Sequence, residues 1–282
     1  MKKISIFGCG WVGKALAKEL YNHYEVMASV QSQSSFDLLE VAYKFLLTPT
    51  NIYNKKFYNT DVFIIAIPPR GEYLQTLTSI LSHLKPSTQL ILLSSTSVYS
   101  QTKGVVKEED TYTIKEPSLM LQAERLVQSK HKDAVILRLG GLMGYDRIAG
   151  KYTAGKTKAY DAPVNYIHRD DVIGVIHLCM EKNIRDEVFN VVVPSHPKQS
   201  EVYAFNTKKF GFEKTCFSSD EVRGKVVCTH SLIELGYKFL RKDIFDFWSY
   251  KFSKLLTYKS QPHQVPLFSS LKLYINHTDF VS

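Results

Sequence analysis

Cysteine is scarce in this chain, and its placement does not suit cross-linking or metal binding. Cys9, Cys179, Cys216 and Cys228 are widely separated, form no C-x-x-C pair and have no histidine neighbours at zinc-ligand spacing. Neither a disulfide framework nor a metal site is therefore expected. Unpaired thiols of this kind suit a reducing compartment.

Long hydrophobic runs are also missing. No segment approaches the ~20 apolar residues that a membrane span needs. The apolar stretch after Met1-Lys2-Lys3 reaches glycine too soon for the h-region of a signal peptide. We therefore expect a cytoplasmic protein without a membrane partner.

A long basic run is absent as well, although the formal net charge is +9. Lysine and arginine are scattered among acidic residues, which is typical of a solvated basic surface. The pattern predicts no nucleic-acid partner. A preference for phosphorylated ligands could explain part of the net positive charge.

The chain does have the size and composition of a packed globule. Its 282 residues, 44% of them hydrophobic, suffice for one large α/β domain or for a main domain with a smaller lobe. Short apolar runs alternate with segments of helical periodicity as far as about residue 145. The runs read as strands are Lys3 to Phe7, Glu25 to Val30, Tyr43 to Leu47, Asp61 to Ile67, Gln89 to Ser94 and Ala134 to Leu139.

Strands that alternate with helices predict a parallel, doubly wound Rossmann sheet. We expect helices over Tyr73 to Leu84, Ser118 to Gln128 and Asp170 to about Glu181, the last with Asp170 as its N-cap. The predicted organisation is a dinucleotide-binding domain at 1–145, a smaller α/β lobe on the substrate side at 146–252 and an extension of unknown role at 253–282. A late strand near 187–193 is a candidate to join the main sheet.

A glycine-rich turn follows the first strand. Gly8, Gly10 and Gly13 form a G-x-G-x-x-G motif that directly follows a strand and opens a helix, which is the context that dinucleotide binding requires. The first glycine permits the tight turn, the second lets a pyrophosphate approach the backbone, and the third lets helix and strand pack closely. The motif predicts a bound dinucleotide, and the alternative is a glycine turn without a ligand.

The end of the second strand lacks the acidic residue that NAD-binding folds place ~20 residues after the turn. Gln31 and Ser32 occupy this region, and no lysine or arginine lies beside them. The absence of a carboxylate removes repulsion against a 2′-phosphate. We therefore prefer NADP slightly over NAD.

Several segments together resemble the extended and atypical short-chain dehydrogenase/reductases, which include the NAD-dependent epimerase/dehydratases. Besides the glycine turn they are Ala66-Ile67-Pro68-Pro69, Leu93 to Tyr99, Arg138 to Leu142 and Val164 to Asp171, so that the likeness covers about residues 3 to 240. The resemblance implies a cofactor-binding set made of Gly8, Gly10, Trp11, Val12, Gly13, Gln31, Ser32, Ala66, Ile67, Pro68 and Ser94.

The same resemblance places Ser95 at the family's catalytic serine or threonine, which hydrogen-bonds the reacting oxygen of the substrate. The family's Tyr-x-x-x-Lys pair is absent, because Glu116 and Met120 fall at its two positions. Tyr99 is our candidate for a substitute proton donor. Glu116 is interpreted as a surface residue and Met120 as a packing one, and the Tyr-x-x-x-Lys matches at Tyr152 and Tyr250 as coincidences.

Two functions are consistent with these features. The first is an NAD(P)-dependent oxidoreductase acting on a small carbonyl, hydroxyl or nucleotide-sugar-like substrate. The second is a regulator or scaffold that binds the cofactor and has lost the chemistry. The oligomeric state stays open, with a homodimer as one alternative.

Overall fold

The structure, a computed structural model, describes residues 1–99 and 104–248, and its residues Met1–Trp248 form one compact unit. The strands are β1 (Lys3–Phe7), β2 (Glu25–Val30), β3 (Tyr43–Leu46), β4 (Val62–Ile65), β5 (Gln89–Ser95), β6 (Gly104–Val106), β7 (Val135–Leu139), β8 (Gly141–Met143), β9 (Thr157–Lys158), β10 (Tyr166–His168), β11 (Glu187–Val191), β12 (Cys216–Phe217) and β13 (Lys225–Val227).

The helices alternate with these strands. They are α1 (Trp11–Leu20), α2 (Gln33–Asp37), α3 (Lys55–Tyr58), α4 (Tyr73–Ser82), α5 (Leu119–Lys130), α6 (Arg169–Glu181), α7 (Gln199–Phe210) and α8 (His230–Glu234). Short 3₁₀ turns lie at Thr96–Tyr99, Glu108–Thr111, Lys151–Thr153 and Ile244–Asp246. None of the helices in the described part of the chain has both the length and the hydrophobicity to cross a bilayer.

The centre of the molecule is a seven-stranded sheet in the order β11-β7-β5-β4-β1-β2-β3, and every neighbouring pair is parallel. The predicted α/β fold with a doubly wound parallel sheet is thereby confirmed. The late strand is part of this sheet, because β11 pairs with β7 and forms its edge. It begins at Glu187, as predicted, and ends at Val191, two residues before the predicted end.

Apolar side chains cover both faces of the sheet. Ile4 and Ile6 of β1 belong to the core on one face, where α1 and α6 pack together. Phe7 belongs to the core on the other face, where α4 packs against α5. This alternation explains why the central strands are almost continuously hydrophobic, as parallel sheets buried on both sides require.

Three small parallel pairs lie outside the main sheet: β8 with β10, β9 with β12, and β6 with β13. Strands from 146–252, the range predicted for the smaller lobe, take part in all three pairs. The predicted domain boundary at residue 145 stays a prediction. The extension at 253–282, and with it Tyr250 and Lys254, lies outside the described residues.

The start of helix α6 differs from the prediction. We expected Asp170 to be the N-cap, but the N-cap is His168, whose Nδ1 accepts a hydrogen bond of 3.2 Å from the Asp170 N–H. Burial lowers the pKa of His168 to about 4 from its ordinary value of 6.5, against the opposing influence of the Asp170 carboxylate 3.6 Å away. Arg169 and Arg241 add to the depression. A neutral imidazole can accept this capping bond, whereas a doubly protonated one cannot.

We expect the free energy of unfolding to fall between about pH 7 and pH 4 partly through His168. The unfolded chain binds the proton near pH 6.5 and the folded chain only near pH 4, so this stability is present above the unfolded pKa and is lost as the pH drops towards 4. In His168→Asn, which keeps a capping acceptor, the fall should be smaller by up to about 3 kcal/mol. Urea denaturation of both proteins across this pH range measures it, and equal slopes would contradict the assignment.

Candidate functional site

The glycine turn lies where the carboxyl end of β1 meets helix α1. Gly8 has a φ of +102°, and a Cβ on it would lie 2.6 Å from Ile67 Cγ2 and 2.9 Å from the Ala66 carbonyl oxygen. A Cβ on Gly13 would collide with the carbonyl oxygen of Gly8. These two glycines are thus required by the close approach of the turn, the helix and the loop after β4.

Gly10 is different, because it is exposed and a Cβ on it would meet no atom within 4 Å. Its φ of −78° is also accessible to any residue. Packing against neighbouring atoms therefore does not require glycine at this position. A side chain at position 10 would extend into the open space over the first turn of α1. There the helix presents N–H groups without intrahelical acceptors and the positive end of its dipole.

Four neighbouring strands bring most of the predicted cofactor residues to one edge of the sheet. In the order β5-β4-β1-β2, their carboxyl ends lead into Ser95, Ala66 to Pro68, the turn Gly8 to Gly13, and Gln31 with Ser32. Ligands of open α/β sheets bind at this edge. Gln31 is exposed, while the Ser32 hydroxyl caps α2 by accepting a bond of 3.3 Å from the Ser35 N–H.

Ser95 is the last residue of β5 and is partly exposed at the same edge. Its Oγ accepts a hydrogen bond of 3.1 Å from the Ser97 N–H. Because that bond uses an acceptor site of the hydroxyl, the Ser95 proton can still be donated to a ligand. The geometry thus leaves Ser95 the capacity that its predicted role needs.

Ser94 points to the opposite side of β5, away from the open edge. It is 5% exposed, and its Oγ donates a 2.5 Å hydrogen bond to Glu124 Oε1 on α5. Glu124 also pairs with the buried Arg138 guanidinium on β7, at 2.8 Å between Oε2 and Nη2. The Ser94 side chain is engaged in this buried network rather than presented to a cofactor.

Tyr99 belongs to the same network. Its side chain is fully buried, and its hydroxyl donates to Asn190 Oδ1 at 2.9 Å while accepting from Arg138 Nη1 at 2.7 Å. Burial raises the pKa of Tyr99 to about 12, against the lowering influence of Arg138. The structure places this hydroxyl within the core, and its geometry gives no support to the predicted proton transfer to a substrate.

Glu116 and Met120, which the resemblance placed at the two positions of the Tyr-x-x-x-Lys pair, lie in different environments. Glu116 is exposed and precedes the N-cap of α5, Ser118, so that it is not part of the helix. Met120 is 7% exposed and packs in the core between α5 and the sheet. Tyr152, in the coincidental match, is 69% exposed in a surface turn.

A lysine near this edge was not predicted from the sequence. The carbonyl oxygen of Asn165 accepts from the Gly141 N–H, two residues after Leu139, which pairs with Ser95 of β5. Asn165 Nδ2 in turn donates to the carbonyl oxygen of Lys225 at 2.9 Å. Lys225 Nζ lies 5.8 Å from the centre of the Tyr99 ring. Burial lowers the pKa of Lys225, and it forms no ion pair within residues 1–99 and 104–248.

Two arginines at the first turn of α1 were also missed. The guanidinium carbons of Arg147 and Arg169 lie 4.2 and 4.8 Å from the centre of the Trp11 ring. No local pattern predicts these contacts, because the arginines lie more than a hundred residues from Trp11 along the chain. Among the described residues, no group of histidine, cysteine and carboxylate side chains is arranged to hold a metal ion.

Comparison with solved structures agrees with this architecture. The structure of a putative NAD-dependent epimerase/dehydratase from Methylobacillus flagellatus matches with a TM-score of 0.70 and 21% identity, over 87% of this chain and 96% of the other. UDP-glucuronic acid 4-epimerase from Bacillus cereus, in complex with NAD, matches with a TM-score of 0.68 and 19% identity, over 87% and 95%. This chain shares the fold of these structures.

A closer sequence relative defines the family. The chain is 30% identical over 273 residues to protein YeeZ of Escherichia coli strain K12, covering 86% of this chain and 97% of the relative. It belongs to the family of YeeZ. No family model matches the sequence.

We expect Tyr99→Phe to destabilise the fold, because it leaves an Arg138 N–H and Asn190 Oδ1 without their buried partner. The cost should be about 1–3 kcal/mol in the free energy of unfolding, measured by chemical denaturation. Tyr112→Phe is the matched control, since Tyr112 is 74% exposed and should change stability little. A Tyr99→Phe protein as stable as wild type would show that the network does not need this hydroxyl.

Proposed function

We propose that this protein binds a nicotinamide dinucleotide at the glycine turn and is an oxidoreductase of the short-chain dehydrogenase/reductase type. The observation that carries the proposal is the contrast between its glycines. Gly8 and Gly13 are required by packing, whereas Gly10 borders open space over the first turn of α1. A pyrophosphate is the ligand that such a turn accommodates.

The preference between NADP and NAD depends on the end of β2. Gln31 and Ser32 are exposed there and offer no carboxylate to a ribose 2′-hydroxyl. A 2′-phosphate would meet no repulsion from them, and this supports our slight preference for NADP. The Bacillus cereus epimerase was solved with NAD, so titrations should compare both dinucleotides.

For the chemistry we propose Ser95 as the donor to the substrate's reacting oxygen. When bound, a reduced nicotinamide supplies the hydride. Ser95 lies at the end of β5, which is separated by β4 from β1, the strand that leads into the glycine turn, and its proton is free to be donated. A hydroxyl in this place stabilises negative charge that develops on a carbonyl oxygen.

The source of the proton is a separate question, because the Tyr99 hydroxyl is enclosed. We propose that Tyr99 holds the 3₁₀ turn after Ser95 in place. Lys225 is then the better candidate to supply the proton. Lys225 lies beside the Tyr99 ring without an ion-pair partner in the described residues, and its lowered pKa brings it closer to the range useful for proton transfer. The substrate is proposed to be a small carbonyl, hydroxyl or nucleotide-sugar-like molecule.

A cofactor-binding regulator is the second candidate. Met120 stands where the family has a cationic lysine, and Tyr99 has no access to a ligand. Both observations favour a protein that binds the cofactor without turnover. Oxidation of NADPH or NADH with a panel of aldehydes, ketones and sugar nucleotides separates the two functions.

Gly10→Ala tests the cofactor site without disturbing the fold. The added Cβ meets no protein atom within 4 Å, so the melting temperature should stay within about a few degrees of wild type. Dinucleotide affinity measured by calorimetry should fall ~10-fold or more, because the methyl group occupies the position of the pyrophosphate. The bulkier, anionic Gly10→Asp should abolish binding, and unchanged affinity in both variants would contradict the proposed site.

Ser95→Ala tests the chemistry. On the first substrate of the panel that wild type converts, kcat/KM should fall by ~10²-fold, the scale of losing one oxyanion donor, while the affinity for the dinucleotide stays the same. Ser97→Ala is the control, since only the backbone N–H of Ser97 contacts Ser95. Wild-type turnover by Ser95→Ala would place the active centre elsewhere.

A further inference from the structure

The indole of Trp11 joins the glycine turn to two arginines from distant parts of the chain. Trp11 directly follows Gly10 and is the first residue of α1. Its Nε1 donates to Asp146 Oδ1 at 2.8 Å, which fixes the ring, and the guanidinium carbons of Arg147 and Arg169 lie 4.2 and 4.8 Å from the ring centre. Two cations are thus held beside the residue that adjoins the open space at Gly10.

Arg147 is held in position by its own backbone. Its N–H and carbonyl oxygen form reciprocal hydrogen bonds with Gly144 at 3.0 and 3.1 Å, and its carbonyl oxygen also accepts from Trp248 Nε1 at 2.8 Å. The backbone is thus fixed, and the contact of the guanidinium with the Trp11 ring restrains the side chain, which reduces the freedom lost when the head group binds a ligand.

Arg169 is held from the other side. It is the first residue of α6, and its guanidinium carbon also lies 4.0 Å from the centre of the Tyr145 ring. The Tyr145 hydroxyl donates to the Asp170 carboxylate at 2.8 and 2.9 Å, which keeps that ring in place. Arg169 therefore lies between two aromatic rings, an arrangement that suits a planar guanidinium.

The Arg169 guanidinium hydrogen-bonds the Tyr145 hydroxyl, but both arginines keep further donors for a ligand. Neither forms an ion pair within the described parts of the chain, since Asp146 accepts from the indole and Asp170 from Tyr145. The Arg169 Nε atom is buried without a hydrogen-bond partner. Arg138, by contrast, directs Nε, Nη1 and Nη2 at acceptors in the core. A buried donor of this kind in a native protein calls for an acceptor.

We propose that Arg147 and Arg169 bind phosphoryl oxygens of the dinucleotide from the side opposite the glycine turn, and so determine the affinity for its pyrophosphate. The inference rests on the proposed function. Guanidinium groups match phosphoryl oxygens with paired, charge-assisted hydrogen bonds. The helix N–H groups and the two arginines then hold the same anion from two directions, with the Trp11 ring as the common support.

The test is the dissociation constant of NADH and of NADPH for the full-length protein, measured by calorimetry at low and moderate salt. Arg147→Met and Arg169→Met remove the charge and keep an apolar stem against Trp11. We expect each to weaken binding ~10-fold or more, about 1.4 kcal/mol, and to reduce the salt dependence of binding. Arg223→Met is the control, because Arg223 also stacks on a tyrosine, 4.9 Å from the Tyr160 ring, at an exposed site.

The results distinguish a failure of this inference from a failure of the proposed function. If wild type binds a dinucleotide and both methionine variants bind it equally well, the inference is overturned and the proposed cofactor site stands. If wild type binds neither dinucleotide, the proposed function fails and the inference falls with it. Should a methionine variant fail to fold, the corresponding Arg→Lys variant is used, and wild-type affinity in that variant counts against a paired contact with the phosphoryl oxygens.

Discussion

The buried guanidinium of Arg138 constrains the whole region around the candidate active site. It is 2% exposed and contacts the Glu124 carboxylate, the Tyr99 hydroxyl, the Glu108 carbonyl oxygen and the Thr111 hydroxyl. A charge removed from water is tolerated only when its donors are satisfied. Arg138 therefore ties β7 to α5 and to both 3₁₀ turns that follow β5, and the position of Ser95 at the end of that strand depends on this connection.

Much of the fold follows from local signals in the sequence. Strands β1 and β2 begin and end at the predicted residues, because their apolar runs are bounded by glycine and by polar residues. The glycine turn was predicted from its context, and Gly8 and Gly13 make the close contacts expected of such a turn, whereas Gly10 borders open space. Strand β4 is shorter than predicted, ending at Ile65, because the chain leaves the sheet at Ala66 to pass over Gly8.

The remaining features depend on contacts between residues far apart in the chain. Tyr99 follows Ser95 by four residues, yet Arg138 and Asn190 decide that its hydroxyl points into the core. Likewise, Ser94 differs from Ser95 only in the face of β5 on which it lies, and Glu124 provides its partner. The Arg147 and Arg169 contacts with Trp11 join residues more than a hundred positions apart in the chain. Resemblance to a family could indicate where the site lies, but not which hydroxyl is free to act.

The central claim is that the carboxyl edge of β5, β4, β1 and β2 forms one dinucleotide site. A crystal structure of the full-length protein with NADPH or NADH tests it most directly. The account predicts a pyrophosphate over the first turn of α1 at Gly10, with the adenosine towards Gln31 and the nicotinamide towards Ser95. A dinucleotide bound elsewhere, or crystals that contain none at saturating concentration, would contradict it.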